Sequence, residues 1–290
     1  MPTWNRAAFI LDAVGSVISQ TYQNWELIIV DDGSTDNTEA IIAAVKDSRI
    51  KFYKAGKIGI GIRLKTIGIE KANGELIAFL DSDDMWAPEK LEKQVAALQD
   101  HPGAGFSITG GYNFSEANVP LEYFYKERKG LSYGNIFLAF FRSEAAILPP
   151  TLMLRRQCLP ILLQFARDAP FSDVEFMLEL AAAFHAVILY EPLLYRRLHD
   201  HGYSTLNWEK GFREGVHVIH TYKHKGKLPA AAARDALFRL YVHSGEKYLA
   251  GKKKQRALHC FFKAWANKPF SIVPLKKTAK AILYQRRKQQ

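Results

Sequence analysis

Two short apolar runs, each stopping abruptly on neighbouring aspartates, constrain this chain more than anything else in it. Residues 26–30 (Glu-Leu-Ile-Ile-Val) run into Asp31-Asp32-Gly33-Ser34, and residues 76–80 (Leu-Ile-Ala-Phe-Leu) run into Asp81-Ser82-Asp83-Asp84. Consecutive aliphatic and β-branched residues suit a strand buried on both faces, and carboxylates cannot follow it inward without partners. Each run therefore predicts a buried strand whose C-terminal end opens on a polar loop.

The flanking pattern is helical. Asp36 is placed to cap a helix, with Glu39 three residues on as its reciprocal partner and Ile41, Ile42 and Val45 as its apolar face. Past the second acidic cluster, Pro88 suits a first helical turn, and Leu91, Val95 and Leu98 point inward. Upstream, Ile10, Val14, Val17 and Ile18 make a helical stripe, and Ile50 to Tyr53 reads as another strand. Such alternation predicts an α/β fold with a mostly parallel sheet flanked by helices. Ligands of such sheets gather beyond the C-terminal ends of the strands, where both acidic clusters stand. Residues 103–170 are less regular, rich in aromatics (Tyr112, Phe114, Tyr123, Phe124, Tyr125, Tyr133) and closed by Pro149-Pro150, and read as a loop-heavy binding surface. Residues 174–185 read as helix and 186–190 as strand, and from about 209 helical periodicity dominates.

Charge divides the chain. The net charge is +11, but residues 205–290 hold 20 Lys and Arg against 4 Asp and Glu, leaving the first 204 residues net acidic. Two domains are expected, 1–204 and a basic helical 205–290, the latter facing an anionic partner. Cys158 and Cys260 are too few for a disulfide framework, and no leader or spanning run of roughly 18 apolar residues is evident, so a cytoplasmic location is expected.

Three carboxylates within four residues repel one another unless a cation neutralises them. Mg²⁺ or Mn²⁺ suits oxygen ligands and commonly takes only one or two carboxylates plus phosphate oxygens, so Asp81, Asp83 and Asp84 point to a nucleotide diphosphate. A solvated acidic turn is the plainer alternative. Asp31 and Asp32 either accept from a base N–H or ribose hydroxyl or simply form a strand-end turn and helix cap. Trp86 is either a sugar platform or a core aromatic.

Taken with Pro2-Thr3-Trp4-Asn5-Arg6, Gln20-Thr21-Tyr22, Trp25-Glu26 and Gly68-Ile69-Glu70-Lys71-Ala72-Asn73-Gly74-Glu75, these segments resemble family 2 glycosyltransferases in order and spacing over residues 1 to about 204. The resemblance implies a GT-A nucleotide-diphospho-sugar transferase fold and an inverting transfer. It places Thr3, Trp4, Asp31 and Asp32 around the nucleotide and gives Asp83 the metal, with Asp81 and Asp84 nearby. Phe171-Ser172-Asp173-Val174-Glu175 is similar to the segment carrying the catalytic base, which falls on Asp173; Ser172 stands where Glu is commoner. Tyr195-Arg196-Arg197-Leu198-His199 resembles the segment closing over the diphosphate, with Arg197 on phosphate oxygens and His199 on the metal or a phosphate.

Two departures stand out. Family members begin with an apolar strand of several residues, and here only Met1 precedes Pro2, so the first strand is expected to be missing. In Gly59-Ile60-Gly61-Ile62-Arg63-Leu64-Lys65-Thr66-Ile67-Gly68, Lys65 and Thr66 occupy the place of an Arg-Asn pair, unless Arg63 serves after a shift. Lys65 is expected at the donor, with charge but without a planar fork.

The expected function is a metal-dependent inverting glycosyltransferase. It would move a sugar from a nucleotide-diphosphate donor to a glycan or lipid-linked acceptor in surface polysaccharide assembly. The alternatives are a catalytically impaired nucleotide-sugar binder and a nucleic-acid-binding protein acting through its basic tail. No nucleic-acid motif is present, so no nucleic-acid partner is expected. Lys252-Lys253-Lys254, Lys276-Lys277, Lys280 and Arg286-Arg287-Lys288 flank Leu275, Ala279, Ile282 and Leu283. They read either as an amphipathic basic helix lying on an anionic membrane surface, making the protein peripheral, or as a solvated helix packed on the catalytic domain.

Overall fold

The computed structural model describes residues 1–115, 120–125, 128–145, 148–168, 173–199 and 202–278. They fall into two compact units, residues 1–140 with 144–199, and residues 141–143 with 200–290.

The first unit opens with β1 (Pro2–Thr3), α1 (Ile10–Ile18), β2 (Leu27–Asp31), α2 (Thr38–Ala44), β3 (Ile50–Lys54), α3 (Gly61–Lys71) and β4 (Leu76–Ala78). The acidic-ended runs thus form β2 and β4. All five residues of β2 are buried, as a strand covered on both faces requires. Thr38 N–H donates to Asp36 Oδ1 at 3.0 Å, so Asp36 serves the start of α2. Glu39 does not complete the reciprocal cap but pairs with Lys54 at 2.7 Å. Gly68 of α3 faces Val30 and Ile28 of β2, and a Cβ there would make only ordinary van der Waals contact with them.

The chain continues through β5 (Met85–Trp86), α4 (Lys90–Asp100), β6 (Ala104–Ser115), β7 (Pro120–Tyr123), β8 (Leu131–Gly134), α5 (Phe137–Phe141), β9 (Met153–Arg155), α6 (Leu159–Asp168), α7 (Asp173–Ala183) and β10 (His185–Leu198). Residues 103–170, read from sequence as loop-heavy, therefore hold four strands. Buried Gln20 ties α1 to α4: its Nε2 donates to Ala87 O at 2.8 Å and its Oε1 accepts from Leu91 N–H at 2.9 Å. Trp86 lies in the core, its Nε1–H donating to Pro150 O at 3.0 Å. Cys158 and Cys260 are free and buried, and burial pushes each thiol up to about 11.

The sheet pattern corrects one expectation. β1, β2 and β3 form a parallel three-stranded sheet, whereas the second sheet runs β4-β9-β6-β10-β5 with β7 and β8 on its flanks. In that second sheet only β6 and β10 pair in parallel; the β4–β9, β6–β9, β6–β7, β10–β5 and β10–β8 pairs are antiparallel. The fold is α/β with a mixed sheet, because several of its connections carry no crossover helix. The first strand is present as the short β1, its Thr3 O accepting from Asp32 N–H at 2.9 Å.

A cavity of about 610 Å³ lies below Met1, lined by Leu27 and Ile28 of β2 and by Leu76, Ile77 and Ala78 of β4 among others. The Met1 amine donates to Ile28 O at 2.8 Å, and burial pushes it down to about 5, with Asp81 opposing and Lys65 adding to the shift. N–H groups along a strand face one side every second residue, and those of Asp32 and Val30 face β1, so that of Ile28 faces the cavity.

The second unit is helical, with α8 (Tyr203–Leu206), α9 (Trp208–His224), α10 (Ala230–Ala250) and α11 (Lys254–Asn267). Its core joins Tyr248, Ala257, Cys260 and Phe261, with Trp208, Phe212 and Tyr241 against them. Gly245 permits the α10–α11 contact, since a Cβ there would come 2.4 Å from the Phe261 ring. Lys280, Arg286, Arg287 and Lys288, with Ala279, Ile282 and Leu283, lie outside the described residues.

An N-terminal extension of four apolar residues, running parallel to β2 into the cavity, is expected to raise Tm by about 3–8 °C through ladder hydrogen bonds and apolar burial. A Gly-Ser extension of the same length is expected to leave it unchanged. Equal melting curves for the two extended proteins would contradict the expectation.

Candidate active site

At the end of β2 the two aspartates have different work. Asp31 Oδ2 accepts from Gly33 N–H at 3.1 Å and Ser34 N–H at 2.9 Å, and its other oxygen accepts from the Ser34 hydroxyl. Gly33 completes this turn with φ +73°, the left-handed region that glycine enters without strain. Asp31 thus builds the loop. Asp32 is also buried, and its Oδ1 accepts from Ile58 N–H and from Gly59 N–H, the latter at 2.9 Å. Lys57 Nζ reaches Asp32 Oδ2 at 3.2 Å and lies 3.5 Å from the Trp4 ring centroid. Burial raises the Asp32 carboxyl, but the Gly59, Ile58 and Lys57 hydrogen bonds outweigh it and hold the group below its ordinary range.

Trp4 is 47% exposed beside this pair, an aromatic face above a charged floor. A flat heteroaromatic base fits such a platform, stacked on the ring with its edge toward Asp32. Thr3 is buried behind it, and its Oγ1 has no hydrogen-bond partner among the described residues.

After β4 the second acidic cluster spreads its carboxylates over distinct partners. Asp83 Oδ2 meets Arg6 Nε at 3.1 Å and His199 Nε2 at 3.2 Å. Asp84 is buried, and its Oδ1 accepts from Arg197 N–H at 2.9 Å. Burial raises the Asp84 carboxyl well above its ordinary range, and the Asp81 and Asp83 charges add to that. Asp81 is raised as well: burial pushes it up, Lys65 pulls it back, and Asp83 and Asp173 repel it.

Arg197 is engaged within the protein. Its Nη2 contacts Asp12 Oδ2 at 2.8 Å, its Nε donates to Asp83 O at 3.2 Å, and its guanidinium lies over Phe9 and Phe114. In this arrangement it holds the end of β10 against the acidic loop. His199 packs on Phe9 with ring centroids 4.7 Å apart, and its buried Nδ1 has no partner among the described residues.

Lys65 joins the two ends of the site. It is buried on α3, and its Nζ lies 2.6 Å from Asp173 Oδ1 at the start of α7. Burial lowers the Lys65 ammonium, but Asp173 and Asp81 outweigh it and hold it above its ordinary range.

Of the residues singled out from sequence, Asp81, Asp83, His199, Lys65 and Asp173 thus gather around one centre, and Trp4 with Asp32 forms a second group. Asp31 and Asp84 serve backbone N–H groups, and Thr3 supplies a backbone acceptor. Among the described residues no three His, Cys, Asp or Glu side chains converge as a closed metal cage. The remaining donors still suit a hard divalent ion. Asp83 and His199 form a two-donor pair, and the Asp81 and Asp84 carboxyls beside them are raised by burial and by neighbouring carboxylates, both of which a bound cation would offset. Arg6 and Lys57 join the site from the structure alone: Arg6 stands inside the Pro2–Arg6 motif, whereas no spacing rule marks Lys57.

A family-level comparison fits this arrangement, since the glycosyl transferase family 2 model matches residues 1–157, more than half of the chain. The chain belongs to glycosyl transferase family 2. Among family relatives it is 38% identical over 135 residues to a putative teichuronic acid biosynthesis glycosyltransferase, TuaG of Bacillus subtilis, covering 46% of this chain and 53% of that protein. It is 41% identical over 102 residues to the Escherichia coli UDP-Glc:alpha-D-GlcNAc-diphosphoundecaprenol beta-1,3-glucosyltransferase WfgD, covering 34% of this chain and 39% of the relative. The chain thus spans about half or less of the length of these relatives.

Solved structures confirm the fold. The S. aureus TarS crystal structure superposes with a TM-score of 0.63 at 16% identity, covering 100% of this chain and 90% of that one. The mannosyltransferase PcManGT from Pyrobaculum calidifontis, solved with GDP-Man and Mn²⁺, gives 0.59 at 17% identity, covering 97% and 78%.

Asp173→Asn is expected to strand the buried Lys65 ammonium and lower stability by about 1–2 kcal/mol, less than a fully buried pair because the Asp173 side chain is 41% exposed. Adding Lys65→Met should recover most of that loss. Because the Lys65 value is raised in the fold, the lysine's share of the pair's contribution is fully present below its ordinary value of about 10.5 and disappears as pH climbs through the folded-state value. Urea titrations of the single and double variants check this, and a double variant no more stable than Asp173→Asn would contradict it.

Proposed function

We propose that this protein is a metal-dependent, inverting glycosyltransferase that moves a sugar from a nucleoside-diphosphate donor to an acceptor hydroxyl in polysaccharide assembly. One observation carries the reading. The base platform at the end of β2 and the acidic centre at the end of β4 are linked through Arg6, which donates to Trp4 O at 3.3 Å and pairs with Asp83. A nucleotide seated on Trp4 and Asp32 would extend its diphosphate toward Arg6, Asp83 and His199.

Asp173 is the proton acceptor in this reading. Its Oδ1 is fixed by Lys65, and its Oδ2 takes no hydrogen bond among the described residues, so one oxygen is oriented and the other available. In a single displacement the acceptor hydroxyl gives its proton to Asp173 as its oxygen attacks the anomeric carbon, and the nucleoside diphosphate leaves from the opposite face. Arg6 is placed to neutralise charge gathering on the leaving phosphates. Asp83 and His199 would hold Mg²⁺ or Mn²⁺, which when bound supplies further positive charge to the diphosphate.

Donor and acceptor classes are supported by relatives. TarS has been solved with UDP-GlcNAc and PcManGT with GDP-Man, and the name of WfgD specifies a diphosphoundecaprenol-linked acceptor. A nucleotide-sugar donor and a lipid-linked glycan acceptor are the matching choices here. A catalytically impaired binder is the second reading, favoured by the 2.6 Å Lys65 contact on Asp173.

Donor-dependent release of nucleoside diphosphate tests the proposal. Asp173→Asn and Asp83→Ala are each expected to lower turnover by about 10²–10⁴-fold. A nucleotide sugar should raise Tm, and more so with Mn²⁺. Binding without release in the unmodified protein would favour the impaired reading, and neither binding nor release would overturn both.

A further inference from the structure

Large apolar side chains stand in water along one stretch of the second unit. Phe262 and Trp265 lie exposed three residues apart on α11, their ring centroids 6.3 Å from each other, while Ala257, Cys260, Phe261 and Ala264 of the same helix are buried. Beyond the helix Phe270 is 100% exposed, and Ile272, Val273 and Leu275 follow it, also exposed. Exposed apolar side chains this frequent along one segment mark an interaction surface. Lys263 and Lys276 are interleaved with them in sequence and make no ion pair among the described residues, whereas Lys268 and Lys277 pair with Asp235 and Glu246.

We infer that this aromatic and basic strip is a membrane-contact surface that seats in the headgroup layer of an anionic bilayer. Phe and Trp favour the boundary between headgroups and acyl chains, and lysine stems cover apolar surface while their ammonium groups stay among phosphates. Stable attachment generally needs both apolar burial and a polybasic element, and the strip supplies both. Among the described residues no helix is long and apolar enough to cross a membrane, so the contact is with the surface.

Charge decides against the other occupants. Residues 205–290 carry a net +16, so a second copy docked through the same segment would bring two strongly basic segments together. A polyanion such as nucleic acid would engage the lysines and leave Phe270 and Ile272 in water. Sequence alone indicated Leu275, Lys276 and Lys277; Phe262, Trp265, Phe270 and Ile272 are added by the structure.

Sedimentation of the full chain with phosphatidylglycerol–phosphatidylethanolamine vesicles tests this, with pure phosphatidylcholine vesicles as the neutral control. The protein should partition onto the anionic vesicles and little onto the neutral ones. Phe262→Ser with Phe270→Ser, and separately Lys263→Glu with Lys276→Glu, should each lower the partition coefficient by about tenfold or more. These exposed positions should leave Tm and nucleoside-diphosphate release unchanged, so loss of vesicle binding is separable from loss of activity. No sedimentation with anionic vesicles, or full binding by the phenylalanine variant, would overturn the inference. So would self-association abolished by Phe270→Ser in a protein that ignores vesicles.

Discussion

Like charges brought to the C-terminal ends of buried strands must be compensated, and most of the first unit is arranged around that requirement. Asp32 is met by two backbone N–H groups and Lys57, Asp83 by Arg6 and His199, Asp84 by Arg197 N–H, and Asp173 by Lys65. The partners come from four places in the chain, so compensating the charges ties the ends of β2 and β4 and the start of α7 to the β1–α1 loop, the β3–α3 loop, α3 and the end of β10. Asp81 and Asp84 remain raised after all of this. Burial is the larger cause, and the mutual repulsion of Asp81 and Asp83 adds to it, so the protein's own cations offset only part of the cost of placing these carboxyls here.

Placing Arg197 and His199 at that centre depends on a local irregularity. β10 pairs with β6 in parallel, but the register shifts between Leu189 and Pro192 and again between Pro192 and Leu194. Here the two backbones approach so closely that a Cβ at Gly110 would lie 2.7 Å from Glu191 O, and one at Gly111 2.5 Å from Leu194 O. Only glycine fits, and a bulge of this kind re-aims the strand that follows. The residues beyond it, Arg197 and His199, then reach Asp84, Asp83 and Asp12.

The same glycines explain what sequence could not reveal. Ser107-Ile108-Thr109-Gly110-Gly111 reads as loop because small polar residues dominate, yet it is buried strand whose lack of side chains is demanded by β10. By contrast β2 and β4 were legible because apolar runs ending on aspartates have few structural solutions. Strand direction was not, since alternation of strands and helices does not record which segments return antiparallel. Within the site, the acidic residues were visible because their charge is hard to place elsewhere. Their partners were not: Lys57 is an unremarkable lysine until Asp32 and Trp4 are seen beside it. Arg197 was visible as a cation of the downstream segment, but its contacts with Asp12 and Asp83 O, which fasten the end of β10, carry no sequence signal.

Lys65 is where sequence and geometry pull hardest against each other. A planar guanidinium in its place would present a fixed fork, whereas an ammonium offers three donors on a flexible stem and concentrates its charge at one point. Buried beside Asp81 and bonded to Asp173, it joins α3, the end of β4 and α7 through a single charge. Desolvating an ammonium is costly, and the two carboxylates outweigh that cost by enough to keep Lys65 protonated. A neutral side chain there would leave Asp173 without its orienting contact and Asp81 with less compensation. The position therefore links the electrostatics around Asp81 to the orientation of Asp173, which separate residues would otherwise have to set independently.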